Sequence, residues 1–181
     1  ANGCCPDVHT RCWLEEVSDK DSPVLYKEYE TPAGTLRMGV VYDSQWAELF
    51  GKDIHWSDHS TSNMYEPLIK TPDDVEAFGY VHCGPGIKQL EIREEANSKV
   101  FETAKKYNIA TVGYAGDGLA TLMFVMGAEN LVYFAMDHFD AFKRLAQIDH
   151  QVNLQRIKLA GMANVDFLKR FGGYEQTNFY N

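Results

Sequence analysis

The sequence lacks a long apolar run, a basic cluster and an evenly spread set of cysteines. No apolar stretch approaches about 18 residues, so the sequence predicts no transmembrane helix. Lys and Arg number 17 against 26 Asp and Glu, which gives a net charge of −9, and no Lys/Arg-rich patch argues for a nucleic-acid partner. The N-terminus also lacks the basic-then-apolar pattern of a signal peptide. These absences predict a cytoplasmic protein that binds neither nucleic acid nor membrane.

The four cysteines are too unevenly placed to form a disulfide framework, because three of them lie in the first twelve residues. Cys4, Cys5, His9 and Cys12 nevertheless offer thiolate and imidazole ligands within nine residues, and such ligands suit Zn²⁺. The alternative is a set of reduced thiols in a loop. We favour that alternative because adjacent cysteines chelate one metal awkwardly.

Three further polar clusters each have a structural and a functional interpretation. Asp53-Ile-His55-Trp-Ser-Asp58-His59 places carboxylates beside a His-x₃-His pair, but its composition favours a surface loop. The dipeptide His82-Cys83 precedes Gly-Pro-Gly, and a turn is favoured over a metal site. Asp137-His138-x-Asp140 resembles a catalytic pair, but acids that cap a helix N-terminus explain it more simply.

Hydrophobic periodicity predicts strands and then helices. Residues 1–23 are predicted to be a loop-rich lead-in, and residues 24–30 and 35–42 form a β-hairpin around Thr31-Pro-Ala-Gly34. Residues 44–66 show no clear period and are predicted to be mostly loop. Helices are predicted from a Thr71 cap to about residue 78, over 88–107, 118–126 and 128–135, and from an Asp137 cap to about residue 162. A buried strand is predicted at 109–114 and the next strand at 165–169, which makes a βαβ unit.

The segment from Val112 to Gly127 is the most informative, because it combines a strand, a glycine-rich turn and a helix. Gly113, Gly116 and Gly118 permit a sharp turn and a close approach of the backbone to a ligand. In α/β proteins, ligands bind where strands lead into helices. Asp117 lies inside this turn and either accepts a proton or hydrogen-bonds a substrate, or else caps the next helix.

The last eleven residues follow the second predicted strand of the βαβ unit. They contain Tyr174, Gln176, Asn178 and Tyr180, which in a barrel would form a loop above the ligand-binding face; the alternative is a surface tail. A parallel strand needs a neighbour and a covering helix, and the sequence offers neither after this point. We therefore expect the chain to be incomplete, or to be completed by another polypeptide or a second copy.

Several segments in order resemble the superfamily of uroporphyrinogen decarboxylase and the corrinoid (coenzyme M) methyltransferases. The resemblance rests on the Thr31–Leu36 hairpin, on Glu66-Pro-Leu-Ile-Lys-Thr-Pro-Asp-Asp-Val, on the Val112–Gly127 segment and on the long helix ending in Ala-Gly-Met-Ala-Asn-Val-Asp. It covers roughly residues 24–181. The fold it implies is a (β/α)₈ TIM barrel about twice as long as this chain, so the chain would be an α/β protein, a central fragment of that barrel with an N-terminal β-hairpin.

Departures from the decarboxylase pattern favour a methyltransferase. The turn reads Gly116-Asp-Gly-Leu-Ala-Thr121 where the decarboxylase has Gly-x-Pro-(Trp/Phe)-Thr, and Phe124 falls near the position of a decarboxylase tyrosine. The arginine-rich segment that binds porphyrinogen carboxylates is absent from the chain. The resemblance then implies methyl transfer between a small methylated donor and a corrinoid protein or thiol, with zinc and corrinoid as cofactors whose ligands lie outside this chain.

These arguments define a predicted site and its alternatives. Asp117 is the predicted catalytic residue, and the predicted substrate-binding residues are Tyr114, Gly116, Phe124, Tyr174 and Asn178. Tetrapyrrole decarboxylation is the alternative activity within the superfamily. A non-catalytic subunit that needs a partner chain is the alternative of a different class.

Overall fold

The structure is a computed structural model of the chain and describes residues 5–84, 87–114, 116–162 and 165–170. The strands are β1 (His9–Glu15), β2 (Val24–Thr31), β3 (Gly34–Val41), β4 (Met64–Glu66), β5 (Val112–Tyr114) and β6 (Phe167–Lys169). The helices are α1 (Ser44–Phe50), α2 (Asp58–Ser62), α3 (Asp74–Val81), α4 (Ile87–Tyr107), α5 (Ala120–Met126), α6 (Ala128–Asp137) and α7 (Phe139–Met162).

An antiparallel sheet of order β1-β2-β3-β4 forms the N-terminal layer. Its central pair is the predicted hairpin, which closes where Thr31 pairs with Gly34. The Thr31 hydroxyl accepts a hydrogen bond from Ala33 N at 3.1 Å and donates one to Gly34 O at 2.7 Å. Gly34 has a φ of 132°, a conformation that favours glycine. The hairpin prediction is confirmed.

A second, two-stranded sheet pairs β5 with β6 in parallel, and α5, α6 and α7 connect them. Gly113 packs closely against α7 and the segment before β6. A Cβ added at Gly113 would lie 3.3 Å from the Ala160 methyl of α7 and 2.9 Å from Val165 Cγ2. The predicted βαβ unit is confirmed. Its first strand is shorter than the predicted 109–114 and is not buried, because Val112 is 60% exposed and Phe167, its partner on β6, is 62% exposed.

One hydrophobic core joins the antiparallel sheet to the helices of the βαβ unit. Tyr29 and Met38 from the sheet belong to the same buried cluster as Phe78 of α3 and Leu122 and Met126 of α5. The backbone also crosses between the two parts, since Leu68 N donates to Val125 O at 2.8 Å. The glycine turn before α5 is therefore anchored to both parts of the molecule.

Two segments that lack a clear hydrophobic period are more regular than predicted. The lead-in contains strand β1, which pairs antiparallel with β2 along its whole length. Most of β1 is exposed, so its side chains carry no alternation that sequence could reveal. The prediction of mostly loop over 44–66 is wrong, because α1, α2 and β4 lie there; each is too short to show a full apolar stripe.

Two predicted helix caps are wrong by a few residues. Helix α3 begins at Asp74, and it is the Asp74 carboxylate that accepts hydrogen bonds from the backbone N–H groups of Lys70 and Thr71, both at 2.8 Å. Asp137 is the last residue of α6, whereas α7 begins at Phe139. Two other predictions agree with the structure within one residue. The helix predicted over 88–107 is α4, and α5 ends before Gly127 as predicted.

The architecture is mixed α/β. Across the described residues the strands form two open sheets and no closed barrel. In the same part of the chain, no helix is both long enough and apolar enough to cross a membrane.

Candidate functional site

The glycine turn leaves the carboxyl end of β5, where α/β proteins hold their ligands. Gly116 and Gly118 have φ values of 108° and 58°. Helix α5 follows directly. Its first turn is preceded by backbone hydrogen bonds from Ala120 N to Asp117 O and from Thr121 N to Gly118 O. The observed N-cap residue is Leu119, so the side chain of Asp117 is not used as the cap.

The Asp117 carboxylate instead accepts a hydrogen bond from the Tyr114 hydroxyl. Tyr114 lies at the last position of β5, and burial together with this hydrogen bond raises the pKa of its phenol. The phenol therefore stays protonated and remains a donor. The structure thus brings together two of the predicted site residues, an acid and the group that orients it.

Gly116 fits against the side chain of Asn153 on α7. A Cβ at position 116 would lie 2.1 Å from Asn153 Oδ1 and 3.5 Å from Arg156 Nη1, so only glycine lets the turn approach α7 this closely. Asn153 Oδ1 is buried, and no group among the described residues donates a hydrogen bond to it. An unsatisfied buried oxygen calls for an explanation in a native protein, and a ligand group is one.

A buried polar network lies beneath the turn. Asn153 Nδ2 donates to Asp149 Oδ2 at 2.7 Å, and the other oxygen of Asp149 lies 3.0 Å from His82 Nε2. The His82 and Asp149 side chains are each only 4% exposed. Phe78 stacks on the imidazole at a centroid distance of 5.2 Å, and Trp56 lies against it at 5.7 Å. Removing charged groups from water costs free energy, so a buried network of this kind lowers the stability of the fold unless other interactions compensate.

A cavity of about 460 Å³ opens beside the turn, a volume that suits a small molecule. Apolar side chains form much of its wall, and Asp149, His150, Asn153 and Arg170 add polar groups. Leu119 of its wall follows β5, and Arg170 follows β6. The cavity therefore lies at the carboxyl ends of both parallel strands.

The opposite ends of the two strands are fixed by one carboxylate. Asp166 Oδ2 accepts hydrogen bonds from Thr111 N at 2.7 Å and from the Thr111 hydroxyl at 2.8 Å. The backbone N–H bond, followed by the hydroxyl bond, lowers the pKa of Asp166. This contact holds β5 and β6 in register and so holds the turn in place.

The other predicted site residues are placed differently. Phe124 is 6% exposed and belongs to the hydrophobic core. Tyr174 and Asn178 lie outside the described residues, as do Gln176 and Tyr180.

The clusters of potential metal ligands do not converge. Among the described residues, no three His, Cys, Asp or Glu side chains lie close enough to hold a metal ion. Cys12 Sγ lies 3.9 Å from Asp53 Oδ1, and Cys5 N bonds to Tyr80 O at the end of α3; Cys4 is outside the described residues. The imidazole rings of His55 and His59 both pack on the Phe50 ring, each with a centroid-to-centroid distance of 5.5 Å. The zinc that the resemblance implies has no fitting ligand set in the described part of the chain.

Sequence reasoning missed Asp149 and Asn153, because they appear only as polar residues in a long helix. One signal was available: their spacing of four residues puts both on the same helix face as Val152 and Leu145, which are buried. Polar residues at core positions indicate a buried network.

No family model matches this chain, and no curated protein or solved structure shows significant similarity to it. The class of protein is therefore defined by the structure itself. It is a mixed α/β protein with a parallel βαβ unit and an acid-bearing glycine turn beside a cavity.

Proposed function

We propose that the chain is part of a uroporphyrinogen decarboxylase-like (β/α)₈ enzyme that moves a methyl group between a small methylated donor and a corrinoid protein or thiol. One observation carries the proposal: the Tyr114–Asp117 pair stands at the carboxyl end of a parallel strand, in a turn whose Gly116 packs against Asn153, a residue of the cavity wall. The resemblance of the sequence to that superfamily supplies the reaction class.

In this proposal the methyl donor occupies the cavity, with its methyl groups against the apolar wall formed in part by Leu119, Leu154 and Ile157. Asp117 passes a proton to the heteroatom of the donor as the bond between that heteroatom and the methyl carbon breaks. Protonation of the leaving group lowers the barrier, as in general acid catalysis. Tyr114 positions the Asp117 carboxyl and does not itself react, since its pKa is raised.

Asp117→Asn tests the proposal in a demethylation assay on methoxy and methylamine compounds, with reduced cobalamin or 2-mercaptoethanesulfonate as the methyl acceptor. We expect the variant to lose roughly 100-fold or more in kcat, because it cannot donate the proton. Tyr114→Phe should lose less, since it removes only the orienting bond. Asp140→Asn, in the first turn of α7, is the matched control and should keep full activity.

Two outcomes would refute methyl transfer by this site. The first is the absence of demethylation with every donor in the wild-type protein. The second is an Asp117→Asn protein that folds normally and demethylates at the wild-type rate. Turnover of a porphyrinogen by the same preparation would favour decarboxylation instead.

A further inference from the structure

Strand β1 forms one open edge of the antiparallel sheet. It pairs with β2 along all seven of its residues without a register shift, and no strand in the described part of the chain pairs with its other side. The strand at the opposite edge, β4, has three residues, and its pairing with β3 shifts register between Gly39 and Val40. Native sheets protect their edges with short strands, bulges, proline or lysine, and β1 has none of these. The β1 side is therefore the edge at which this sheet can accept another strand.

The backbone groups of β1 that point away from the sheet follow from the hydrogen bonds of the hairpin. Pro23 O accepts a hydrogen bond from Tyr42 N at 2.8 Å, just beyond the end of the β2–β3 ladder. Because the bonding direction alternates along a strand, odd-numbered residues of β2 bond to β3 and even-numbered residues bond to β1. The register between β1 and β2 then turns the N–H and C=O groups of Thr10, Cys12 and Leu14 outward. Within the described ranges, no backbone group outside the sheet bonds to them.

The sequence of β1 is complementary to itself in an antiparallel arrangement centred on Cys12. In that register all seven residues of β1 lie opposite a residue of a second copy. His9 lies opposite Glu15 of the second copy, and Arg11 lies opposite Trp13 of the second copy. An imidazole beside a carboxylate and a guanidinium beside an indole are favourable cross-strand pairs. A register centred on Arg11 would instead place two guanidinium groups opposite each other, which is unfavourable.

The side chains and the charge of β1 also suit a contact between two copies. The Arg11 side chain is 67% exposed, and its guanidinium lies 5.0 Å from the centroid of the Trp13 ring, which stacks on Tyr26 of β2 at 5.4 Å. Tryptophan, tyrosine and arginine are the residues that most often carry the binding energy of protein interfaces. The strand contains one Arg and one Glu, so its formal charge is zero, whereas the whole chain carries −9. The Cys12-centred register therefore places no like charges opposite each other.

We propose that β1 is a dimerisation strand, through which two copies of this chain pair antiparallel about Cys12 and join their four-stranded sheets into one. The outward groups of Cys12 then exchange two hydrogen bonds with their counterparts. Those of Thr10 and Leu14 exchange bonds with Leu14 and Thr10 of the second copy. The proposal does not depend on methyl transfer, since it uses neither Asp117 nor the glycine turn.

Sedimentation velocity of the 181-residue chain over a range of concentrations measures the dimer. Thr10→Pro removes an outward N–H group and leaves the hydrogen bonds between β1 and β2 in place, because proline is tolerated where the N–H of an edge strand faces solvent. Thr10→Ala keeps that N–H group and is the matched control. We expect Thr10→Ala to dimerise like the wild type, and Thr10→Pro to raise the dissociation constant at least about tenfold. A wild-type chain that stays monomeric up to about 1 mM, or a folded Thr10→Pro chain that dimerises equally well, overturns the proposal.

Cross-linking with a short bismaleimide tests the register. Cys12 is free and exposed, and a peptide pair joined Cys12 to Cys12 must come from two copies. In the proposed register the two Cα atoms lie about 5.5 Å apart. The control is Cys12→Ser with Glu15→Cys, whose two thiols are separated by six residues of strand, or about 20 Å. We expect Cys12 to cross-link at least about tenfold faster than the control, and equal rates would refute pairing about Cys12.

Amide hydrogen exchange of the wild-type protein decides the question if Thr10→Pro does not fold. Raising the protein concentration should slow exchange of the outward N–H groups of Thr10, Cys12 and Leu14. Exchange at Arg11 and Trp13 should change less, because their N–H groups already bond to β2. Exchange at the three outward positions that is independent of concentration overturns the proposal, as does a dimer whose protection appears at another surface.

Discussion

At the scale of single residues, the candidate site depends on a close contact that only one residue type permits. Gly116 combines a φ of 108° with a position where any Cβ would overlap Asn153 Oδ1. Gly34 has a similar φ of 132°, but nothing lies within 4 Å of its Cβ position. The two glycines therefore share the conformational constraint and differ only in the space around them.

Gly116→Ala should lower the free energy of unfolding by more than Gly34→Ala. Strain from a positive φ costs about 1–3 kcal/mol at either position, and the overlap with Asn153 adds to it only at position 116. Urea unfolding of the two variants measures the difference. Equal losses would show that the turn does not press against α7.

At the scale of elements, the pairing of β5 with β6 depends on Asp166. Its carboxylate bonds to two groups of Thr111, and its folded-state pKa is lowered. A lowered folded-state pKa stabilises the fold above the unfolded-state pKa of about 3.9, and that contribution disappears as pH falls through the folded-state value. The strand pairing should therefore weaken in acid.

Asp166→Asn should destabilise the protein at pH 7 and have a smaller effect near pH 3, where the wild-type carboxylate is itself becoming protonated. Urea unfolding at both pH values measures this, and amide hydrogen exchange at 112–114 shows whether the loss is local. Glu48→Gln is the matched control, since Glu48 is exposed on α1. An equal loss at both pH values would contradict the assigned role of the carboxylate.

The elements also show what sequence can predict. The hairpin and α4 were predictable because turn residues and apolar spacing are local signals. Helices α1 and α2, of 7 and 5 residues, were not, because so few residues cannot display a stripe. The contact of His82 with Asp149 joins residues 67 apart, and no local pattern encodes such a distance. The glycine turn that carries Asp117 was predictable because such a turn is itself a local signal.

At the scale of the whole molecule, a single core makes the two sheets interdependent. Phe78 is fully buried in the cluster that contains both β2–β3 and α5 side chains. Phe78→Ala should therefore cost about 3–5 kcal/mol of stability. Because the core is shared, tryptophan fluorescence and far-ultraviolet circular dichroism should report the same unfolding midpoint, and both should shift together in the variant.

Leu49→Ala is the control for that experiment, because Leu49 is 52% exposed and its truncation should change stability little. Two separate transitions, with only one of them moved by Phe78→Ala, would show that the parts fold independently. Such a result would also remove the argument that the antiparallel layer anchors the glycine turn.

The contact between the Trp56 and His82 rings has an optical consequence. The Trp56 indole N–H is buried and finds no hydrogen-bond acceptor in the part of the chain that the structure describes, whereas the Trp46 indole donates to Asp53 O at 3.1 Å. The two indoles therefore differ in polarity of surroundings, and Trp56 should emit at the shorter wavelength. Its ring lies 5.7 Å from the imidazole of His82, close enough for a gained proton to quench the emission. The molecule thus contains its own fluorescent reporter of the charge on the histidine at the centre of its buried network.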